Sequence, residues 1–438
     1  MKKVLIVAYY WPPSAGSGVQ RWLKMVKYLR DFGWEPIVLT PSNPDFNLQD
    51  PGLLADIPKD IQVLRLPILE PFALYNKFMG QKDESRVNPV FSDPNRKPKL
   101  KERFALWVRS NLFIPDARMM WIRPASKYLI NWLKDNPVDA MVTTGPPHSM
   151  HLIGLRVKKA TGIPWLADFR DPWTRIDFYR ELNLEKWADQ KHHRLEREVS
   201  RTADALVVIG NTMREEYESL TVKPVAVITN GYDDADFSFK DAAPEPDKEF
   251  SIVHVGMLGK ARNHPVFWEA LQELRNEYPP FARDLKIKFY GKADPAVEAS
   301  VKQYNAESWV KFYPYMSHAE IIQVQRRAQV LLLSVNNTHN ARGILTGKIF
   351  EYLAIQRPIL AIGPTDGDAA AILRDTAAGL ISGFSDKETL KQHITRYYSW
   401  YKTGTLKVDN SGTEKYSRRN LAGRMAGMLN LVSTPEKK

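Results

Sequence analysis

The chain has no cysteine among its 438 residues. It therefore has no disulfide framework, no thiolate nucleophile and no cysteine-ligated zinc or iron–sulfur site, and redox and zinc-finger chemistry fall away on that ground. A run of 18 or more apolar residues is also missing, so no segment reads as a membrane-spanning helix. The opening MKKVLIVAYYWPPSAG passes directly into a strand and a glycine-bearing loop, without a small-residue cleavage site, and the expectation is a cytoplasmic protein. There is no Walker lysine motif. The dinucleotide fingerprint fails as well: its third glycine position holds Arg21, and the second strand ends in LTPSNPD with no acid placed for a ribose hydroxyl, which argues against NAD.

What is present points to two α/β domains. At 44% hydrophobic, 438 residues are too many for one ordinary core. Strand and helix patterns alternate from the start, the signature of parallel sheets covered on both faces. VLIVAYYW reads as a buried strand. The segment from Val19 to Phe32 has apolar residues at Val19, Trp22, Leu23, Val26, Leu29 and Phe32, a helical stripe closed by Gly33. EPIVLTP is the next strand. After a proline-rich, charged stretch from about Pro41 to Lys101, VDAMVTTG, GIPWLADF, ADALVVIG and PVAVITNG follow as strands. NGYDDADF reads as the handover to a second set: FSIVHVG, LKIKFYG, VKFYPY, QVLLLSV, RPILAIG and AAGLISG. The expected domains are 1–232 and 233–413. A helix over about 414–432, with a stripe at Leu421, Met425, Met428, Leu429 and Val432, is expected to pack back on the first. SHAE predicts a capping box, Ser317 as cap and Glu320 three residues on.

The loop SAGSGVQR follows a strand and opens a helix, so Gly16 and Gly18 free backbone N–H groups and the helix dipole to seat a phosphate. Many α/β proteins use such a turn merely to make the corner. TGKIFEYLAIQRPILAIG is more specific. A short helix starting near Gly347 puts Lys348 and Glu351 on one face at i, i+3. The lysine and the open helix start suit a diphosphate, and the carboxylate can accept both hydroxyls of a ribose. A solvated surface pair has the same spacing.

The passage resembles the nucleotide-sugar motif of family 4 glycosyltransferases, retaining enzymes with the two-domain GT-B fold. The resemblance covers nearly the whole chain. It takes in the loop at Gly16 and Gly18, ITNGYDDADF, HVGMLGKAR and KIFEYLAIQRPILAIG. It implies two facing Rossmann-like, doubly wound domains with an interdomain cleft. By the same resemblance Glu351 would bind the donor ribose, Lys348 with the backbone at Thr346 and Gly347 the diphosphate, and Lys260 or Arg262 the same phosphates from the opposite loop. One position departs from the family: a first glutamate commonly stands eight residues before the ribose-binding one, and here it is Gly343. Arg342 and Asn340 are candidate substitutes.

Two further clusters, TTGPPHSMH and ADFRDPW, stand at strand ends, where ligands sit in parallel sheets. Asp168 and Asp171 flank Arg170. One carboxylate reads as a structural ion-pair partner, the other as functional, and DFRDPW is similar to the RD-containing segment of several family members; Asp171 is the candidate. His148, and less so His151, would steady the leaving phosphate or the acceptor hydroxyl, or else cap a helix beside the Pro-Pro turn. The expected reaction is transfer of a sugar from a nucleoside diphosphate sugar to a carbohydrate or lipid-linked hydroxyl, with retention implied by the resemblance. No metal or other cofactor is expected.

Net charge is +12, from 62 Lys and Arg against 50 Asp and Glu. Between Asn95 and Lys134 ten basic residues face two acidic ones, interleaved with Phe104, Trp107, Phe113, Trp121 and Trp132. That stretch would suit an anionic bilayer, with Phe104, Trp107, Val108 and Leu112 toward the lipid, or a core-packing helix with a basic outer face. No recognition helix or aromatic sheet motif supports nucleic-acid binding. A sugar-nucleotide epimerase and a non-catalytic scaffold of the same fold stay open.

Overall fold

The computed structural model describes residues 1–44, 49–70, 100–237, 244–408 and 411–434. The chain forms two compact units, Met1–Asn230 with Arg418–Lys438, and Gly231–Ser417.

The first unit contains β1 (Lys2–Val7), α1 (Ser17–Leu29), β2 (Trp34–Pro41), β3 (Gln62–Leu66), α2 (Leu100–Leu112), α3 (Ile122–Asp135), β4 (Ala140–Gly145), α4 (Ser149–Thr161), β5 (Trp165–Phe169), α5 (Lys186–Thr202), β6 (Ala205–Val208), α6 (Asn211–Glu218) and β7 (Val225–Val227). Its sheet runs β3-β2-β1-β4-β5-β6-β7, every neighbouring pair parallel. Val4 lies against Pro36 on one side and Ala140 on the other. Strand order reverses between β1 and β4, the place where doubly wound sheets open a crevice at their carboxyl ends.

The α1 stripe is buried at Val19, Trp22, Leu23, Val26 and Leu29. A single 3-10 turn, Arg30–Phe32, follows, and Gly33 closes it at φ +81. Phe32 leaves the stripe because the tighter turn rotates it outward; it is 37% exposed, with its ring over Gly423. Two boundaries differ from the sequence reading. The first strand ends at Val7, so Tyr9 and Trp11 are buried in a loop rather than in the sheet. The charged stretch after Pro41 contains β3, an edge strand whose partly exposed QVLRL lacks a buried apolar run.

The second unit contains β8 (Phe250–Val255), α7 (Pro265–Glu277), α8 (Pro279–Asp284), β9 (Leu285–Tyr290), α9 (Pro295–Gln303), β10 (Val310–Tyr313), α10 (His318–Arg327), β11 (Val330–Ser334), α11 (Gly347–Ile355), β12 (Ile359–Ile362), α12 (Asp368–Thr376), β13 (Gly379–Ser382) and α13 (Lys387–Lys402). Its parallel sheet runs β10-β9-β8-β11-β12-β13, with the reversal between β8 and β11. The capping box of α10 is formed: Glu320 N–H donates to Ser317 Oγ at 3.4 Å and Ser317 N–H to Glu320 Oε2 at 2.9 Å.

The last helix, α14 (Arg418–Ser433), belongs to the first unit. Leu421, Met425 and Leu429 are fully buried in the same cluster as the α1 stripe, with Met428 and Val432 packed at its margin.

Candidate active site

In the second unit the chain leaves β11 at Ser334 and turns into α11 after Thr346. Thr346 is extended, at φ −78 and ψ 147, and its hydroxyl makes no capping bond. Among the described residues, Thr346 Oγ1 is buried without a hydrogen-bond partner. No acidic residue stands in the first turn, and space around the Gly347 Cα is open. A helix start of this kind presents bare N–H groups and the positive end of the dipole.

Lys348 runs across Gly256, whose φ of +89 and lack of a Cβ make the passage; a Cβ there would lie 3.0 Å from Lys348 Cε and 3.2 Å from Nζ. Lys348 Nζ is 3.3 Å from His254 Nε2. Its pKa is lowered to about 7, by burial first and by nearby Arg262 second, with Glu351 opposing them. Arg262 is held by Asn336, whose Oδ1 accepts from Nε at 2.6 Å, and by the Met257 carbonyl at 3.2 Å from Nη1. Glu351 lies one turn along α11. Burial pushes its pKa up, His318 and Lys348 push it down, and Asp236 pushes it up. Lys348 and Glu351 are therefore not a solvated surface pair: both are half-buried, and Arg262 and Glu351 both act on the lysine, an arrangement that favours an anion beside the cations.

Of the sequence candidates, Thr346, Gly347, Lys348, Glu351 and Arg262 come together here. Lys260 is exposed on the loop after β8, and among the described residues its side chain makes no hydrogen bond or ion pair with this group. Gly343 ends the 3-10 turn Ala341–Gly343, its N–H donating to Asn340 O at 3.0 Å. Arg342 is paired with Asp366 at 3.1 Å on the surface, and Asn340 Oδ1 accepts from Thr338 at 2.9 Å.

In the first unit Gly16 precedes α1 at φ +95, with open space around it and no acid in the first turn. Gly18 serves packing: a Cβ would sit 2.9 Å from the Tyr10 ring and 3.1 Å from Arg170 Nη1. Buried Arg170 donates from Nη1 to Gly18 O at 2.6 Å and from Nη2 to Pro146 O, tying the loop after β1 to the loop after β4. Asp168 is the structural carboxylate, and its partner is Arg21 rather than Arg170. It accepts from Arg21 Nη2 at 2.7 Å, Trp22 Nε1 at 2.7 Å and Thr144 Oγ1 at 2.9 Å. Among the described residues Asp171 has no hydrogen-bond partner; burial raises its pKa, Arg170 lowers it and Asp177 raises it.

His148 stacks on Trp173, ring centroids 4.7 Å apart and planes 3° apart. Its side chain does not cap α4. That task falls to Asp116, which accepts from Ser149 N–H at 2.9 Å and Ser149 Oγ at 2.8 Å. His151 Nδ1 is 2.8 Å from Thr143 Oγ1. Among the described residues, His148 Nδ1 and His151 Nε2 are both buried without partners, and they converge on Gly145, where a Cβ would lie 3.0 Å from the first and 2.6 Å from the second. Burial holds both rings neutral, His151 lowered to about 3 and His148 well below its usual value. Two neutral imidazoles at the end of β4 each keep one ring nitrogen that can accept or donate a hydrogen bond.

Sequence reasoning missed Asp116, Gly145 and His254. Asp116 reaches a helix 33 positions away and leaves no local signal. His254 had one, as the only ionisable residue within the strand FSIVHV.

The basic, aromatic stretch divides. Phe104 is 67% exposed and Trp107 39%, on α2, with Leu106 and Leu112 also exposed. Trp107 Nε1 donates to Glu185 at 3.0 Å. Val108 is half-buried, and Trp121 is wholly buried, a core residue rather than a surface one. Arg96, Lys97 and Lys99 lie outside the described residues. Among the described residues no helix is long and apolar enough to cross a membrane.

Residues 16–231 match the family described as Glycosyl transferase 4-like domain, and residues 236–403 the family described as Glycosyl transferases group 1. The chain belongs to the family 4 glycosyltransferases of the GT-B fold. Similar solved structures include a trehalose-phosphate synthase (UDP-forming) from Burkholderia vietnamiensis, at TM-score 0.60 and 11% identity over 99% of each chain. Sucrose-phosphate synthase from Thermosynechococcus elongatus matches at 0.57 and 13% over 99% of each chain. HepE from Anabaena, in complex with UDP-glucose, matches at 0.59 and 11%, over 98% of this chain and 100% of that one. At such identities the likeness speaks for the fold alone. Comparison with curated protein sequences found no match.

Proposed function

We propose that this glycosyltransferase moves a sugar from a nucleoside diphosphate sugar to a hydroxyl acceptor with retention of configuration. The observation that carries the reading is the α11 start, where an uncapped helix N-terminus and Lys348, with Arg262 acting on it, stand one turn from the half-buried Glu351 carboxylate. Its charge order matches a nucleoside diphosphate: cations and N–H groups for the phosphates, a two-oxygen acceptor for the ribose. UDP-glucose bound to HepE and the UDP-forming synthase among the similar structures support a nucleotide-sugar donor. As the anomeric bond breaks, negative charge grows on the departing phosphate. Lys348, Arg262 and the helix start are the groups we assign to stabilise it, and losing one such donor typically costs about 10²–10³ in rate. Gly16 and the α1 start are a second phosphate-seating turn, with Gly18 shaping it. Asp171 and His148 are the proposed catalytic groups on the acceptor side. Lys260 remains a weaker candidate, as an exposed phosphate contact. With cationic side chains taking the phosphate charge, no divalent ion is called for.

The test is the thermal shift of the wild type and of Glu351→Ala with UDP, GDP, CDP and ADP, in buffer containing chelator. A ligand at a hundredfold over its Kd adds about 2.7 kcal/mol of stability. One nucleoside diphosphate should raise the Tm of the wild type and not of the variant. A shift seen only after adding a divalent ion contradicts the charge reading, and no shift with any nucleotide favours the scaffold. An epimerase would release free nucleotide from its sugar donor without an acceptor.

The acceptor class we favour is a carbohydrate or lipid-linked hydroxyl in surface polysaccharide or glycolipid assembly. The exposed Phe104, Leu106, Trp107 and Leu112 on α2, in a basic stretch, support a peripheral position at the cytoplasmic face of an anionic membrane.

A further inference from the structure

We propose that His254 is a positioning residue for Lys348: an uncharged imidazole that holds the lysine ammonium at the α11 start without cancelling its charge. The inference rests on the donor reading above and adds a residue to it. His254 is 1% exposed in β8. Its Nδ1 lies 3.1 Å from the carbonyl of Leu332 in β11, the neighbouring strand at the switch point. A carbonyl carries no proton, so Nδ1–H is the donor, and in a neutral ring that leaves Nε2 as a lone-pair acceptor. Burial, then Lys348 and Arg262, keep the ring neutral. The Lys348 ammonium, 3.3 Å from Nε2, can only donate. The contacts with Leu332 and Lys348 fit the Nδ1–H tautomer, in which Nε2 accepts from Lys348, and the Met257 carbonyl is a second acceptor facing the ring.

The chemistry explains why a histidine suits this place. A carboxylate would pair with the ammonium and spend the charge that a diphosphate requires. An apolar side chain would leave a long, flexible lysine free to swing toward Glu351, whose charge acts on it from the same helix. The imidazole orients and stays neutral. Gly256, two residues on, leaves the corridor through which the lysine stem passes. The groups that set the titration of Lys348 are Arg262 after β8 and Glu351 on α11, and Glu351 is in turn influenced by His318 and Asp236.

The experiment is calorimetric titration of UDP, GDP, CDP and ADP into full-length wild type, His254→Asn, His254→Gln, Lys348→Met and the Asn/Met double variant, across pH 6 to about 9. Asparagine can keep a bond to Leu332 O but is too short to reach the lysine; glutamine can reach it. A hydrogen bond to a charged group corresponds to about tenfold in affinity. His254→Asn should weaken binding of the recognised nucleotide about tenfold and move the pH at which binding declines. His254→Gln should recover most of the loss, and His254→Asn should add nothing on top of Lys348→Met. Should the asparagine chain not melt cooperatively, His254→Phe takes its place in the cycle. Wild-type affinity and pH profile in a folded His254 variant overturn the inference, as do losses that add independently with Lys348→Met. If Lys348→Met itself binds like the wild type, or nothing binds at all, the donor reading fails along with it.

Discussion

Arg21 reads in the sequence as a flaw in a phosphate fingerprint, and in the fold it is an anchor. Its guanidinium gives Asp168 two donors and reaches the carbonyls of Ile228 at 2.9 Å and Thr229 at 2.8 Å, so a buried charge pair joins α1, β5 and the end of the first unit. Asp168→Ala would leave that guanidinium buried and uncompensated. A loss of about 3–5 kcal/mol is expected in urea unfolding, and a loss within experimental error would refute the anchor. Burial pushes the Asp168 pKa up, but Arg21 and the bonds from Trp22 and Thr144 outweigh it and bring it below 3.8. A depressed carboxylate contributes stability above its unfolded pKa and loses it as pH falls through the folded value, so this contribution vanishes only below about pH 3.8. Lys348 has the opposite sense. With a pKa lowered to about 7 in the free protein, its charge is present below that pH and lost above it. Nucleoside diphosphate affinity should therefore decline on the alkaline side of neutrality, and a flat profile from pH 6 to about 9 would contradict the assignment of Lys348 to the phosphates.

At the scale of elements, the last helix completes a core begun by the first. Leu421, Met425 and Leu429 of α14 are buried against the stripe of α1, four hundred positions earlier in the sequence. Each fully buried side chain of this size is worth roughly 1.5–3 kcal/mol, so three amount to about 5–9 kcal/mol, comparable to the whole stability of a typical domain. A chain ending at Ser417 should lose the cooperative unfolding of the first unit while the second, whose core draws on residues 250–406, keeps its own. Differential scanning calorimetry of the shortened chain checks this: two intact transitions would mean that α14 contributes little. The α1 pattern and the tail pattern were each legible as amphipathic helices from local spacing. β3 was not, since five residues at a sheet edge, two exposed and three half-buried, carry no buried run to betray them.

For the molecule as a whole, a net charge of +12 is a statement about partners rather than about fold. Its placement beside Phe104 and Trp107 makes flotation with anionic vesicles the discriminating measurement. Binding is expected at low salt and should fall as the Debye length shortens toward about 8 Å at physiological ionic strength. Phe104→Ala should reduce it without altering nucleotide binding. Absence of flotation at low salt returns α2 to an ordinary solvated helix.

Apart from the edge strand β3, the strands of both sheets and the helix that carries Lys348 and Glu351 follow from local pattern: periodicity of two or 3.6 and the residues that start and stop helices are properties of neighbours in the chain. The exchange between candidates came from elsewhere. Asp168 became the anchor and Asp171 the unpaired acid only because Arg21, 147 positions away, lies against the first. His148 lost its capping role to Asp116, and Lys348 acquired His254 from 94 positions away. Burial, which moves Lys348 to about 7 and neutralises three histidines, belongs to the packed sheet and not to any window of sequence. Spacing along the chain selects which residues share a face, whereas desolvation and partner choice depend on what the fold brings to that face, and those two decide which charged groups hold the structure and which are left for a ligand.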